Sequence, residues 1–223
     1  MFETIRNALK IKDVRNKILW TILFVVIYRL GCYITVPGLQ AITIEEGTTS
    51  IMGLLNSITG SALSQGTIFS LGISPYINSS IIMQLLTVAI PRLERLSKEG
   101  EEGQKKLAQI TRYATVILAL IQGVAFYIYL KNSGYLTVKG TAATIFAGFV
   151  IVLAFTAGSA LVMWLGEQID SKGIGNGISI LLFAGILSRG PQAAGALVEY
   201  WKMGQQFAVV GIVIAFLAVI TFV

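Results

Sequence analysis

Long apolar runs alternate with short polar loops along the 223 residues of this chain. A helix needs about 20 mostly apolar residues to cross the hydrocarbon core of a bilayer. The pattern predicts five membrane spans and a sixth, marginal one that covers 174–187 and could extend toward Val198. The five longer spans cover 18–36, 68–90, 113–130, 141–166 and 207–223.

The composition supports a membrane protein. Hydrophobic residues make up 55% of the chain and charged residues 13%, with a mean hydropathy of +0.76. Soluble domains carry about 25% charged residues. One soluble core cannot bury so much apolar surface, so we expect an all-α, polytopic bundle of membrane helices.

The basic residues set the expected orientation. Lys and Arg outnumber Asp and Glu by 17 to 11. They cluster in residues 1–17, in the loop 91–112 and at Lys172, which are all cytoplasmic if the N-terminus lies inside. Because these residues flank apolar runs instead of a polar, aromatic face, we interpret them as membrane anchors and expect no direct sequence-specific binding of nucleic acid.

The chain offers little catalytic chemistry. It contains no His, and Cys32 is its one cysteine, which excludes disulfides, Cys/His zinc sites and His-activated nucleophiles. Glu167 and Asp170 are three residues apart, but they lie at a predicted cytoplasmic border beside Lys172 and read as a solvated helix end. The nearby glycines predict a tight hairpin, since no phosphate-loop motif is present. We therefore expect no enzyme and no cofactor.

Two segments beside the spans and the last span itself carry further predictions. Residues 1–17 predict a short interfacial helix, because Phe2, Ile5 and Leu9 recur at helical spacing. Loop 91–112 mixes both charge signs and predicts a solvated cytoplasmic hairpin, or a docking face for a cytosolic partner. The segment 207–223 ends without a polar cap, so we expect the chain to be truncated within that span.

Residues 51–66 are apolar but too short to cross a bilayer. Backbone of this kind survives at membrane depth only where protein or a watery cavity surrounds it. The segment therefore enters a cavity or lies on an external surface, and the residues alone favour the surface. Ile73 and Ile77 are one helical turn apart, as are Ile178 and Leu182, a spacing that ordinary helix packing also produces.

Arg29 is the one charge deep within a longer predicted span. A buried arginine is costly there unless it reaches the interface or binds an acid or backbone carbonyls. No carboxylate lies within the predicted spans. We favour a structural role, with a partner outside this sequence as one option.

Three strings carry a resemblance to a known family. They are YRLGCYITVPGL, GALSQGTIFSLGISPYINSSIIMQLLTVAIPRLERLSKEGEEGQKKLAQITRY and MWLGEQIDSKGIGNGISILLFAGI. In this order and spacing, the chain resembles the bacillus-like N-terminal half of the SecY family, the bacterial protein-translocation channels. The resemblance implies half of a clamshell with inverted repeats, in which five spans over 18–198 surround a pore and 207–223 begins a sixth.

The resemblance also implies site residues. Ile73, Ile77, Ile178 and Leu182 match the apolar pore ring, where Leu182 replaces a commoner Ile. Asn78 and Gln122 match the lateral gate, and Asn78 is often Ser or Thr in the family. Residues 51–66 match the plug, which reverses the preference for a surface segment. The plug residues are Leu54, Leu55, Asn56, Ser57, Ile58, Gly60 and Ser64.

The family implies a channel that passes unfolded preproteins across the bacterial plasma membrane and releases membrane helices sideways into it. Its implied partners are SecE and SecG, the SecA motor ATPase, the ribosome, signal sequences, nascent preproteins and the lipid bilayer. The alternative is half of an ion-coupled secondary transporter, although the predicted spans lack the acid or His that coupling usually requires.

Overall fold

A computed structural model describes residues 11–42, 53, 56, 58–138, 140–202 and 210–211. Across these residues the architecture is helical, with two isolated β-bridges, so the all-α prediction is confirmed for this part of the chain. In chain order the helices are α1 Lys12–Gly31, α2 Ser74–Ala89, α3 Pro91–Lys98, α4 Glu101–Asn132, α5 Thr141–Lys172, α6 Gly177–Leu187 and α7 Gly190–Lys202.

The predicted spans differ from the observed helices mainly at their ends. The first helix ends at Gly31 and a turn follows at residues 32–33, whereas the hydrophobic run continues to Val36. The second starts at Ser74, because Gly72 has a φ of +56° and Pro75 occupies the first helical turn. The marginal span is an 11-residue helix, and its extension is the separate helix α7.

Helices α4 and α5 are the clearest membrane spans. Within the described residues, they are the two helices that are both long enough and apolar enough to cross a bilayer. Both extend past the apolar run at the end predicted to be cytoplasmic, α4 beginning at Glu101 and α5 ending at Lys172. The predicted interfacial helix 1–17 lies outside the description up to residue 10, and the span 207–223 lies outside it except for residues 210–211.

The loop 91–112 is a helical hairpin. Helix α3 meets the start of α4 at Gly100, whose φ of +78° allows the sharp turn. A Cβ on Gly103 would lie 1.8 Å from the Leu96 carbonyl oxygen, so the two helices touch through backbone. The ammonium of Lys98 donates to Glu94 at 2.5 Å and lowers the pKa of that exposed carboxyl group. The hairpin therefore presents charged side chains beyond the apolar spans.

Two buried clusters hold the helices together. The first cluster joins α1, α5 and α6 to the segment before α2. The second joins Val36, Ile42 and Leu63 to α4 and α5. Close backbone contact supports the packing, since a Cβ on Gly158 would lie 1.9 Å from the Ile68 carbonyl oxygen. The first cluster contains Phe24, Tyr28, Cys32, Ala62, Phe69, Ile73, Val162, Leu165, Ile169 and Leu181. The second contains Val36, Ile42, Leu63, Phe126, Leu130, Ala147, Ile151 and Phe155.

The end of the bundle opposite α3 is closed by loops that we call the loop ladder, in which residues 34–42 lie between residues 64–68 and 135–137. The Val36 amide donates to the Gly66 carbonyl at 2.9 Å, and the Thr137 amide donates to the Gly38 carbonyl at 3.1 Å. These hydrogen bonds pair backbone groups in the loops, which have no helical partners. The ladder fixes the chain on both sides of the predicted plug.

Candidate functional site

The four residues of the predicted pore ring lie around the first buried cluster. Ile73, at 4% exposure, belongs to the cluster, whereas Ile77, Ile178 and Leu182 are half-buried and pack against it. Helices α2 and α6 therefore bring the four aliphatic groups to one region of the bundle. Ile77, Ile178 and Leu182 keep part of their surface accessible, whereas Ile73 is buried in the cluster.

Two side-chain caps fix the start of α6, which carries half of this ring. The Ser179 amide donates to Asn176 Oδ1 at 3.0 Å, and the Gly177 amide donates to Asp170 Oδ1 at 2.7 Å. A Cβ on Gly177 would lie 2.0 Å from the Gly166 carbonyl oxygen. This close approach sets the position of Ile178 against α5.

In the described part of the predicted plug, residues 53, 56 and 58 are helical and residues 59–66 form turns. The Ser64 amide donates to Asn56 Oδ1 at 3.0 Å, and the Ser61 amide donates to the Asn56 carbonyl at 2.9 Å. Gly60 and Ser61 both have positive φ, at +63° and +71°. Asn56 is buried and Ile58 is 37% exposed. Leu54, Leu55 and Ser57 lie outside the described residues.

The predicted gate residues meet the plug segment at a cavity of about 380 Å³. Asn78 of α2 is exposed and Gln122 of α4 is half-buried, and both line this cavity. Thr59 and Leu63 line it from the plug segment. The other lining residues are Ser70, Leu71, Ser74, Ala125, Phe126 and Tyr129. A mostly apolar cavity with a few polar groups suits an apolar peptide segment, whose side chains are apolar but whose backbone N–H and C=O groups are polar.

Arg29 binds backbone carbonyls at the end of α6. Its Nη2 donates to the Ala184 carbonyl and, at 3.2 Å, to the Gly185 carbonyl. These carbonyls lie in the last turn of α6, where the helix dipole attracts positive charge, and the Ala184 carbonyl also accepts from the Ser188 amide. The sequence left three ways to stabilise Arg29: the membrane interface, an acid or backbone carbonyls. The structure shows backbone carbonyls, and both belong to this chain.

The two acids that the sequence assigned to a solvated helix end have separate partners. Glu167 Oε1 accepts from Arg112 Nε at 2.7 Å, and the Glu167 side chain is 21% exposed. Asp170 caps α6 through Gly177, as described above. Neither acid therefore stands as a free catalytic carboxylate. Throughout the described ranges, no three Asp, Glu or Cys side chains gather as metal ligands.

The sequence did not reveal the aromatic part of the cavity or the partner of Arg29. Phe126 and Tyr129 follow Gln122 at four and seven residues, which places them on one face of α4. That spacing was available as a signal. The contact between Arg29 and α6 joins residues 155 and 156 positions apart, and no local pattern indicates it.

A SecY family model matches residues 67–223. The protein translocase subunit SecY of Bacillus subtilis (strain 168) is 42% identical over 231 residues, which cover 99% of this chain and 53% of that protein. The subunit of the same name from Streptomyces coelicolor is 43% identical, over 96% of this chain and 52% of that protein. The chain thus spans about half the length of these curated relatives.

Two solved structures share the fold. A structure described as that of a protein conducting channel has a TM-score of 0.64, and the match covers 97% of this chain and 51% of that one. Sec61 in the canine ribosome-channel complex from the endoplasmic reticulum gives the same TM-score and coverage. Both are 23% identical to this chain, so this likeness concerns the fold alone.

Proposed function

Because this chain belongs to the SecY family, we propose that it forms one half of a protein-conducting channel for unfolded preproteins and membrane helices. The relatives carry the name of a protein translocase subunit. The secondary transporter that the sequence left open receives no support from them. We assign residues 18–198 to the five-span half, 1–17 to an interfacial helix and 207–223 to a sixth span.

The pore is proposed to close around Ile73, Ile77, Ile178 and Leu182. Aliphatic groups make non-directional contacts, so they can surround any side chain of a passing polypeptide. When no chain is present, an apolar constriction resists wetting and hinders ions. The half-buried state of Ile77, Ile178 and Leu182 supports this assignment, because each packs against the first buried cluster and still keeps part of its side chain accessible.

The plug and lateral gate are proposed to meet at the cavity described above, and this shared cavity is the observation that carries the proposal. Asn78 and Gln122 place polar groups in a seam whose other walls include Leu71 and Phe126. Polar groups weaken the closed seam, so a sufficiently hydrophobic segment can open it and move into lipid. In this proposal, residues 51–66 fill the external side of the pore in the resting state.

The proposal assigns no covalent chemistry and no cofactor to this chain. Energy would come from partners, which we propose to be the SecA motor or the ribosome, with SecE and SecG as the companion subunits. We place the protein in the bacterial plasma membrane with a cytoplasmic N-terminus. The charged hairpin at Gly100 and the basic first residues then face the side where these soluble partners act.

Photocrosslinking from position 77 tests the pore. The experiment uses a chimera in which residues 1–223 replace the matching part of the full-length Bacillus subtilis relative, called the full-length chimera below. A photoreactive residue at position 77 should crosslink to a stalled secretory precursor. The same probe at position 145, where Ile145 is 69% exposed on α5, is the matched control. Equal crosslinking at both positions would contradict the pore assignment.

A further inference from the structure

Arg29 of α1 lies where the end of α6 meets the plug segment. Its guanidinium binds the Ala184 and Gly185 carbonyls. A Cβ built on Gly60 would lie 2.8 Å from Arg29 Nη1, 2.8 Å from the Gly185 carbonyl oxygen and 2.7 Å from Ser188 Oγ. Two other parts of the chain, α1 and the end of α6, therefore converge on Gly60, and there is no room for a side chain.

The plug segment touches α6 through backbone at this point. A Cβ on Gly185 would lie 2.2 Å from the Ile58 carbonyl oxygen. Glycine at 185 permits this approach, and glycine at 60 permits both the positive φ and the contact with Arg29. The Ser188 hydroxyl donates to the Gly185 carbonyl at 2.7 Å and completes the end of α6. The segment consequently rests on a surface whose shape depends on Arg29.

The next residues of the plug segment are held elsewhere. The hydroxyls of Thr67 and Ser70 donate to the Ala62 carbonyl at 3.2 Å and 3.1 Å. The Ile42 amide donates to the Ser64 carbonyl at 2.7 Å, which ties the segment to the loop ladder. Ala62 and Leu63 are buried. Residues from 62 onward are therefore anchored, and the consecutive positive φ values at Gly60 and Ser61 mark the point where the segment turns away from that anchor.

We propose that Arg29 is a positioning residue that latches the plug segment in its closed place, by fixing the last turn of α6 against Ile58 and Gly60. This inference rests on the proposed channel function and extends it to a residue that no assignment of ring, plug or gate includes. The guanidinium keeps the carbonyls of Ala184 and Gly185 oriented, and the segment packs on the surface so formed. Opening separates Ile58 and Gly60 from α6 while residues from 62 onward stay in place.

Thiol labelling of the full-length chimera tests the latch without requiring translocation. Thr59 is 3% exposed, so a cysteine there is shielded while the segment is seated. In a Cys32→Ala background, Thr59→Cys should react slowly with a membrane-impermeant maleimide. Adding Arg29→Met should speed the reaction about tenfold to a hundredfold, the range expected when hydrogen bonds to a charged group are lost. Gln65→Cys, at an exposed position, supplies the reference rate.

A second variant keeps the test decisive if Arg29→Met does not accumulate. Gly185→Ala puts a methyl group against the Ile58 carbonyl and should also speed labelling at position 59 and raise resting ion leak. Gly190→Ala is the control, because a Cβ at that position has no neighbour within 4 Å. Arg29→Lys should fall between Arg29→Met and the parent.

The outcomes separate the latch from the channel function. Faster labelling and greater leak in Arg29→Met and Gly185→Ala, with Gly190→Ala unchanged, support the latch. Parental labelling in both variants overturns it, even if the chimera translocates a secretory precursor normally. Failure of the parent chimera to translocate would instead count against the proposed function, and the labelling rates would still decide whether Arg29 holds the segment.

Discussion

Arg112 and Glu167 join α4 to α5 through a contact of 2.7 Å between Nε and Oε1. The two residues are 55 positions apart and lie at the end of the bundle near α3. Elsewhere in the described part of the chain, the ion pairs Glu94–Lys98 and Glu101–Lys105 each link residues four apart within one helix. The Arg112–Glu167 pair therefore contributes tertiary structure, whereas the pairs with Lys98 and Lys105 decorate an exposed surface.

Glu167→Gln should destabilise the bundle by about 0.5–1 kcal/mol, because Arg112 is half-exposed and solvent screens part of the attraction. Denaturant unfolding of the full-length chimera in detergent measures the change. Glu101→Gln, which removes an exposed partner 3.9 Å from Lys105, is the control and should have no measurable effect. Equal losses of unfolding free energy in the two variants would show that the Arg112–Glu167 contact stabilises the bundle no more than the exposed pair does.

Ile77→Ser should make the resting channel leak ions. A hydroxyl in an apolar constriction favours water there, and wetting lowers the barrier to ions. Conductance of the full-length chimera in planar bilayers should rise severalfold. Ile145→Ser makes the same chemical change at an exposed position on α5 and should leave conductance unaltered. Unchanged conductance in Ile77→Ser would refute the ring assignment.

Asn78→Leu should raise the hydrophobicity that a segment needs to enter the membrane. Leucine would pack with Leu71 and Phe126 in the cavity and strengthen the closed seam. The threshold is measured with secretory precursors that carry test segments of increasing leucine content, by finding the content at which a segment becomes membrane-inserted in a protease-protection assay. Gln84→Leu, on an exposed part of α2 outside the cavity, is the matched change and should not move it. A lower threshold in Asn78→Leu would contradict the gate assignment.

Asn176→Ala should cost about 1 kcal/mol of stability, because it removes the side-chain acceptor at the start of α6. Asn176→Asp retains an acceptor and should restore most of that loss. Thermal unfolding of the full-length chimera reports both effects. Asn132→Ala, at an exposed position at the end of α4, should leave the unfolding temperature close to that of the parent.

Gly158→Ala should destabilise the protein by about 1–3 kcal/mol, the usual range for overpacking. Its methyl group would lie 1.9 Å from the Ile68 carbonyl oxygen and push the segment before α2 away from α5. Gly123→Ala tests the same substitution where the nearest atom is 3.6 Å away. There, the helix preference of alanine should give a neutral or slightly stabilising result. A harmless Gly158→Ala would show that the contact relaxes freely.

Much of the fold follows from hydrophobic pattern, and its exceptions have physical causes. The long apolar runs predicted α4 and α5 because helices satisfy their own backbone groups in lipid. The same reasoning placed residues 68–73 in a helix, but Gly72 and the contact of Ile68 with Gly158 keep that stretch in turns. Such contacts depend on the approach of a distant helix, which hydropathy does not encode.

The candidate site divides in the same way. Ring, plug and gate residues were obtained from resemblance to a family, since their spacing alone also suits plain helix packing. The cavity shared by Asn78, Gln122 and Thr59 depends on how α2, α4 and the plug segment meet. Arg29 was recognisable as an anomaly because a charge within an apolar span needs a partner. Its partners could not be inferred, because backbone carbonyls carry no sequence signature.

The loop ladder also bears on the order in which a ribosome would complete this structure. Gly38 is synthesised early, but its partner Thr137 follows the whole of α4. The loop after α1 therefore keeps the Gly38 carbonyl unpaired until α4 has been made. Closure of the loop ladder therefore follows the synthesis of α4, and a pause before residue 137 would leave α1, α2 and α4 made while the Gly38 carbonyl still lacks its partner.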